Sequence, residues 1–253
     1  MYRTILPFLL LVSFSFSAPA SPYSFLPDDP DKVSAESNLK STAFHHFLEQ
    51  TYSGAGLQRA GLNFEVFKHA MIGYYNLQKS QGLSPAKQIL SVIDFTKSSK
   101  DKRLWIIDLK AKKVLYNSHV AHGRNTGDEF ANKFSNAPNS FMSSAGFYVT
   151  RGTYFGKHGL SLRIDGVDPG FNTNAMARAV VIHGANYVSE AFIKQTGRLG
   201  RSLGCPALPM ELSKEIINTI AGNTALYIHT SLKEYRSNHL NPTTAMERFF
   251  LQS

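Results

Sequence analysis

Val180-Val181-Ile182-His183-Gly184 and, after a loop, Arg201-Ser202-Leu203-Gly204-Cys205-Pro206 form the stretch on which the reading of this chain turns. An apolar run that ends in a histidine beside a glycine is the pattern of a strand delivering a side chain to the edge of a cleft. Cys205 is the only cysteine in the molecule. A thiol attacks a carbonyl only as the thiolate, and a neighbouring base has to generate it, so one cysteine and one well-placed histidine are the minimum kit for thiol acyl transfer. The plainer alternative is a small buried hydrophobe. Gly204 permits a tight turn that would aim the Cys205 N–H at a developing oxyanion, and Pro206 stiffens the exit.

The rest of the chain sets the context for that thiol. Its 253 residues, 43% of them hydrophobic, suffice for a core of ordinary size. A net charge of +9 suits an acidic partner. Lys and Arg are scattered without a basic cluster of interleaved aromatics, which argues against nucleic acid and leaves a polyanionic envelope polymer. Met1 to Thr4 is a short basic region and Ile5 to Phe16 an apolar one, and Ala18-Pro19-Ala20 offers the small residues of a cleavage site. Residues 1–20 therefore read as a signal peptide, too short for a membrane span of about 20 apolar residues. The expected location is exported, in the periplasm or cell envelope, with no membrane span after signal removal. One cysteine in an oxidising compartment has no internal disulfide partner, so it is either deeply buried or kept because it works.

Residues 21–35, with Pro22, Pro27 and Pro30, read as an extended leader. Residues 36–100 read as a helical segment of three helices. One carries Ala43, Phe44, Phe47 and Leu48; a second, capped by Asn63 and followed by Gly82, carries Phe64, Phe67, Met71, Tyr74, Tyr75 and Leu77; the third covers Ala86 to Ile93. Short apolar segments then alternate with turns: Leu104 to Leu109, Val114 to Val120, Phe147 to Thr150, Leu160 to Ile164, Ala179 to Ile182 and Ala225 to His229 read as strands, Pro209 to Ala221 as a helix closed by Gly222. The expected organisation is a mainly β domain over 104–232 behind a helical N-terminal segment, α+β overall, with a C-terminal tail over 233–253.

Three His-Gly pairs, at His122, His158 and His183, fall in the β region. Zinc is the chemical competitor, but His119-x-x-His122 lacks a further ligand at a metal spacing, and there is no His-Glu-x-x-His, so no metal or other cofactor is expected. No Gly-x-Ser-x-Gly elbow is present. Arg151, Arg163, Arg178, Arg198 and Arg201 crowd the same stretch, as a carboxylate ligand would require. The aromatics from Phe141 to Tyr154 fit either a cover over a cleft or strand packing.

His183-Gly184 followed by Ser202-x-Gly204-Cys205 resembles the signature of the YkuD-like murein L,D-transpeptidases. Ser143-Ser144-Ala145-Gly146-Phe147-Tyr148, His158-Gly159-Leu160-Ser161-Leu162-Arg163 and Arg178 to Ala185 extend the resemblance to the murein L,D-transpeptidase catalytic domain family, over roughly 105–229. The main family reads Ser-His-Gly-Cys with an arginine two residues on, where this chain has Leu203 and Ala207. The resemblance implies a β-rich fold with a cleft, Cys205 as nucleophile, His183 as base and the Gly184 carbonyl as its orienter, with N–H groups around Gly204 and Cys205 as oxyanion hole. It implies peptidoglycan stem peptides as substrate and 3–3 cross-links through a cysteine thioester as product. On that reading Cys205, paired with a protonated His183, would be a low-pKa thiol. Ser202, Gly204 and His158 would meet the substrate; Arg201 and Arg163, then Arg198, would take its carboxylates. The alternatives are an L,D-carboxypeptidase or hydrolase on the same substrate, and a non-catalytic peptidoglycan-binding module.

Overall fold

The computed structural model describes residues 30–251. The signal peptide and most of the extended leader lie outside the described residues. Residues up to Ser37 belong to a separate unit, whose described part is the start of helix α1, Pro30–Gly54. That helix begins inside the stretch expected to be extended, since Pro30 occupies its first turn, where the missing N–H has no partner to lose. The body of the molecule runs from Asn38 onward.

Helix α2, Phe64–Ser80, starts where Asn63 accepts hydrogen bonds from the Glu65 and Val66 N–H groups at 2.8 and 3.4 Å. Its Phe67, Met71, Tyr74 and Leu77 recur every three or four residues and are all buried, which makes one continuous apolar face. That face lies on the sheet so closely that a β-carbon at Gly73 would come within 1.9 Å of the Phe147 ring. Only glycine allows that approach.

The sheet has eight strands: β1 Ile89–Asp94, β2 Leu104–Asp108, β3 Lys113–Ser118, β4 Gly146–Gly156, β5 Gly159–Gly166, β6 Val181–Ala185, β7 Ala207–Pro209 and β8 Ala225–His229. Their order is β3-β2-β1-β8-β4-β5-β6-β7. Pairs β1–β8 and β6–β7 are parallel, and the other neighbours are antiparallel. Side chains alternate between two cores, as strand period demands. From β8, Tyr227 packs with α1 and α2 while Leu226 and Ile228 face the opposite side; β2 sends Trp105 and Ile107 one way and Leu104 and Ile106 the other. The second core is closed by Ile216, Ile217 and Ile220 of α4, Met210–Ile220. A short helix α3, Glu190–Thr196, joins β6 to the loop before Cys205.

One expected helix is a strand. Ala86 to Ile93 contains β1, which lies between β2 and β8 and is buried along its whole length. A strand covered on both faces lacks the apolar–polar alternation of a half-buried one, and over six residues periodicity does not separate it from a buried helix. The sheet therefore starts at Ile89, upstream of the expected boundary at 104.

The tail docks. Helix α5, Pro242–Phe250, is capped by Asn241, and Phe249 packs on Phe47 and Phe44 with ring centroids 4.6 and 5.3 Å apart. The Asn76 amide donates to the His239 and Asn241 carbonyls, and Arg248 donates to the Asn76 carbonyl. Asp168, fully buried, holds the approach to this tail: it accepts from Phe147 N–H at 2.7 Å, Tyr235 O–H at 2.6 Å and Ser237 O–H at 2.6 Å. Removing that carboxylate strands three buried or half-buried donors. Asp168→Ala should lower unfolding free energy by on the order of 3 kcal/mol in urea titration, and a loss below about 1 kcal/mol would show that the latch does not hold the tail.

Candidate functional site

Strand β6 and the turn before β7 build the site. His183 lies inside β6 rather than at its end, paired with Ser161 of β5 on one side and Ala207 of β7 on the other. Two residues before Ala207 is Cys205. A cavity of about 450 Å³ is lined by His183 and Cys205, together with Ser161, Arg178, Arg201 and Ser202.

The cysteine turn is held at both ends by Ser202. Its hydroxyl donates to the Cys205 carbonyl at 2.6 Å and accepts from Gly204 N–H at 3.0 Å. Behind the turn, Gly123 bridges to Ser202, and the Ser143 hydroxyl donates to the Gly204 carbonyl at 3.1 Å while accepting Gly123 N–H at 3.0 Å. Gly204 has φ +123°, and a β-carbon there would stand 2.8 Å from the Met142 carbonyl oxygen. Backbone packing and conformation both require glycine. Because the Gly204 N–H is committed to Ser202, Gly204 shapes the turn and is not a free donor, contrary to expectation.

The sulfur of Cys205 rests against residues 179–181. Val181 N–H donates to it at 3.4 Å, and its own S–H points to the Ala179 carbonyl at 3.8 Å. Ala179 adopts φ +53°, a left-handed conformation that disfavours any side chain, at the residue whose carbonyl meets the sulfur. Across the cavity, His183 Nδ1 lies 2.9 Å from the Gly184 carbonyl oxygen. A carbonyl only accepts, so Nδ1 carries the proton and Nε2 keeps its lone pair. Gly184 itself is walled in, since a β-carbon there would meet Ser213 Oγ at 2.6 Å and Met210 Sδ at 2.8 Å. The His158 ring, from the tip of the β4–β5 hairpin, stacks on His183 with centroids 4.2 Å apart and planes 19° apart.

Electrostatics here differ from the expected thiolate–imidazolium pair. Burial pushes the Cys205 thiol up, against the opposing pull of Val181 N–H, Arg178 and Lys157. Burial also pushes His183 down, the Gly184 bond opposing it and His158 and Lys157 adding to it. Both shifts disfavour the charged forms, so near neutral pH the resting pair is thiol and imidazole.

The arginines sort differently from their sequence order. Arg201 lines the cavity but is engaged by Asp128 at 2.6 Å and by the Arg124 and Gly127 carbonyls. Arg163 is exposed over the Tyr154 ring at 4.4 Å, and Arg198 donates to its neighbour Leu199; neither lines the cavity. Of the aromatics expected as a cover, Phe147 and Tyr148 are sheet core, and only Tyr154 reaches the cavity. Arg178, which does line it, was legible only as one of five arginines.

The model of the L,D-transpeptidase catalytic domain family matches residues 58–229. This chain belongs to that family. The match starts before α2 and so takes in the first strand of the sheet. Among solved structures, an L,D-transpeptidase from Mycobacterium smegmatis is similar at 11% identity and TM-score 0.36, over 56% of this chain and 59% of that one. An L,D-transpeptidase from Mycobacterium tuberculosis H37Rv is similar at 12% and 0.34, over 56% and 58%. The helical cell shape determining protein Pgp2 (K307A mutant) from Campylobacter jejuni is similar at 12% and 0.38, over 72% and 63%. The chain thus spans less than two thirds of the length of each of these structures. No curated protein sequence matches it.

His122, one of the three His-Gly histidines, supports the catalytic-domain frame instead of lining the cavity. Its Nδ1 accepts from buried Arg103 at 2.7 Å, and Nε2 lies 3.3 Å from the Gly127 carbonyl. Burial, then the Arg103 charge, lowers its pKa to about 4. An unfolded histidine takes up its proton near 6.5, so this stability is fully present above that pH and is lost as pH falls toward 4, by on the order of 3 kcal/mol. His183, His69 and His229, also held down by burial, act in the same direction. Urea midpoints should fall steeply from pH 7 to 4.5 and less steeply in His122→Gln; equal slopes would refute the assignment.

Proposed function

We propose that the protein is an exported L,D-transpeptidase that acts on peptidoglycan stem peptides through a Cys205 thioester. Family membership supports the reaction class. The observation that carries the residue roles is the shared cavity of Cys205 and His183, with His183 Nδ1 turned to the Gly184 carbonyl so that Nε2 is the free base. Among the described residues no helix is long and apolar enough to cross a membrane. The basic and apolar stretch at residues 1–20 supports export.

In this reading His183 Nε2 takes the Cys205 proton as the sulfur attacks the carbonyl of the third stem residue at its L-centre. Because Gly204 N–H is already spent on Ser202, this reading gives the oxyanion to the Cys205 N–H. Collapse breaks the peptide bond; the terminal D-alanine amine leaves with the proton held by His183, and a thioester remains. An amine from a second stem then attacks the thioester and returns its proton through His183 to the departing sulfur, which gives a 3–3 cross-link and restores the enzyme. Arg201 beside Ser202 is the side chain placed to meet a stem carboxylate once it exchanges Asp128 for substrate.

Incubation with a purified disaccharide-tetrapeptide should yield cross-linked dimer as the main product by mass analysis. Cys205→Ala should lower turnover by at least about 10³-fold with unchanged unfolding midpoint, and His183→Ala nearly as much. The acid limb of the wild-type kcat/KM profile should fall below pH 6.5, because His183 is held below its ordinary value. Full activity in Cys205→Ala would refute the nucleophile; tripeptide and D-alanine alone, with abundant acceptor, would make the enzyme a carboxypeptidase.

A further inference from the structure

Thiol chemistry in a buried cavity needs something to stabilise negative sulfur, and an imidazole that burial keeps neutral does not supply it at rest. Three cations line the cavity: Arg201 is paired with Asp128, Lys157 and Arg178 both act on the Cys205 thiol, and Arg178 is the one fixed by several hydrogen bonds. Arg178 precedes the left-handed Ala179 by one residue and lines the cavity with Cys205. Its Nη1 donates to the Ser135 carbonyl at 2.7 Å and to Ser144 Oγ at 2.5 Å. Its Nη2 donates to Ser140 Oγ at 3.1 Å and to the Met142 carbonyl at 2.6 Å. Nη2 also lies 3.4 Å from where a β-carbon on Gly204 would stand, so the guanidinium packs on the backbone immediately before the cysteine.

Those four bonds use all four N–H groups of the two terminal nitrogens. A guanidinium so engaged acts on its surroundings through charge rather than through new hydrogen bonds to a ligand. None of its four partners is a carboxylate, so its charge is not cancelled locally, and the half-buried setting raises its effect. Two groups able to become anions couple to it: the Tyr148 hydroxyl, which burial keeps protonated, and the Cys205 sulfur, to which Val181 N–H already points from three residues further along the same chain.

We propose that Arg178 is a positioning residue with an electrostatic role: it pins segment 135–144 behind the cysteine turn and, with Val181 N–H, stabilises the Cys205 thiolate formed when His183 takes the proton. The raised thiol accords with this, since burial outweighs the arginine in the resting state and Arg178 limits the rise. The proposal rests on Cys205 as nucleophile, but it is tested without substrate or turnover, so the two can fail separately.

With one cysteine in the chain, iodoacetamide alkylation followed by intact mass, less the alkylation of Cys205→Ala under the same conditions, reports Cys205 alone. Rates measured from pH 6 to 11 give the titration midpoint of the thiol. Arg178→Met should raise that midpoint by about one pH unit, roughly tenfold slower alkylation at pH 8, while Arg178→Lys, which keeps the charge, should restore most of it. A purely structural role would lower the unfolding midpoint of both variants alike and leave the thiol midpoint in place. If Arg178→Met does not fold, the double variant Ser140→Ala, Ser144→Ala keeps the arginine but removes two of the four bonds that fix its head, so its thiol midpoint should rise and alkylation at pH 8 should slow about twofold to threefold. An unchanged midpoint in whichever folded variant is measured overturns the proposal.

Discussion

The parallel register of β6 on β7, which sets His183 beside Ala207, is the constraint on which the site depends. Cys205 precedes Ala207 by two residues, so pairing the strands in this register is what brings histidine and thiol to one cavity. A slip by one residue would turn His183 to the opposite face of the sheet and replace it by an apolar neighbour. The register is protected from both sides. Ala207 is fully buried and exchanges backbone hydrogen bonds with Ala121 at 2.9 and 3.3 Å, while Ser161 of β5 holds the other edge of His183. Helix α4 closes over Gly184 with Met210 and Ser213, so only glycine fits at the residue whose carbonyl orients the imidazole.

A second layer fixes the cysteine turn from behind. His122 and Gly123 sit between buried Arg103 and the Ser202 turn: Arg103 donates to His122 and to the Val120 carbonyl, the His122 carbonyl accepts Ser202 N–H at 2.9 Å, and Gly123 N–H meets Ser143. The guanidinium of Arg103 has no hydrogen-bonded carboxylate and is satisfied by carbonyls, the imidazole and the Phe95 ring face. Burial holds its pKa down to about 9, which still leaves it charged at neutral pH. A buried cation that bonds only neutral acceptors ties its partners firmly, because losing any one of them leaves an unsatisfied charge. Rigidity at the thiol is thus assembled from residues that never touch the cavity.

Much of this was legible in the sequence, and the reasons for the rest are local. The strand periods of Leu104 to Leu109 and Ala225 to His229 show because each face carries its own apolar set, and Asn63 shows because a helix N-terminus needs an acceptor. Cys205 and His183 stand out because a lone cysteine beside glycine and a histidine at the end of an apolar run are both uncommon. Strand β1 was hidden by burial on both faces. The sequence favours Arg163 and Arg198 over Arg178, since nearness in sequence does not report which way a strand turns a side chain. Nor does any residue type announce the left-handed conformation of Ala179, beside Arg178, when glycine is absent.

The electrostatics of the pair follow from the same burial that builds the cavity. An exposed cysteine and histidine could rest as an ion pair, but a half-enclosed one favours the neutral forms, and stacking His158 on His183 disfavours a second positive charge beside it. In the proposed reaction, proton transfer then belongs to the moment of attack and not to the resting state. The resting thiol is correspondingly less exposed to adventitious oxidation, since oxidants attack the thiolate. The neutral resting pair also means that the stabilisation of charge has to be built into backbone and side chains that do not titrate at neutral pH. Val181 N–H and the guanidinium of Arg178 meet that condition, and His183 does not.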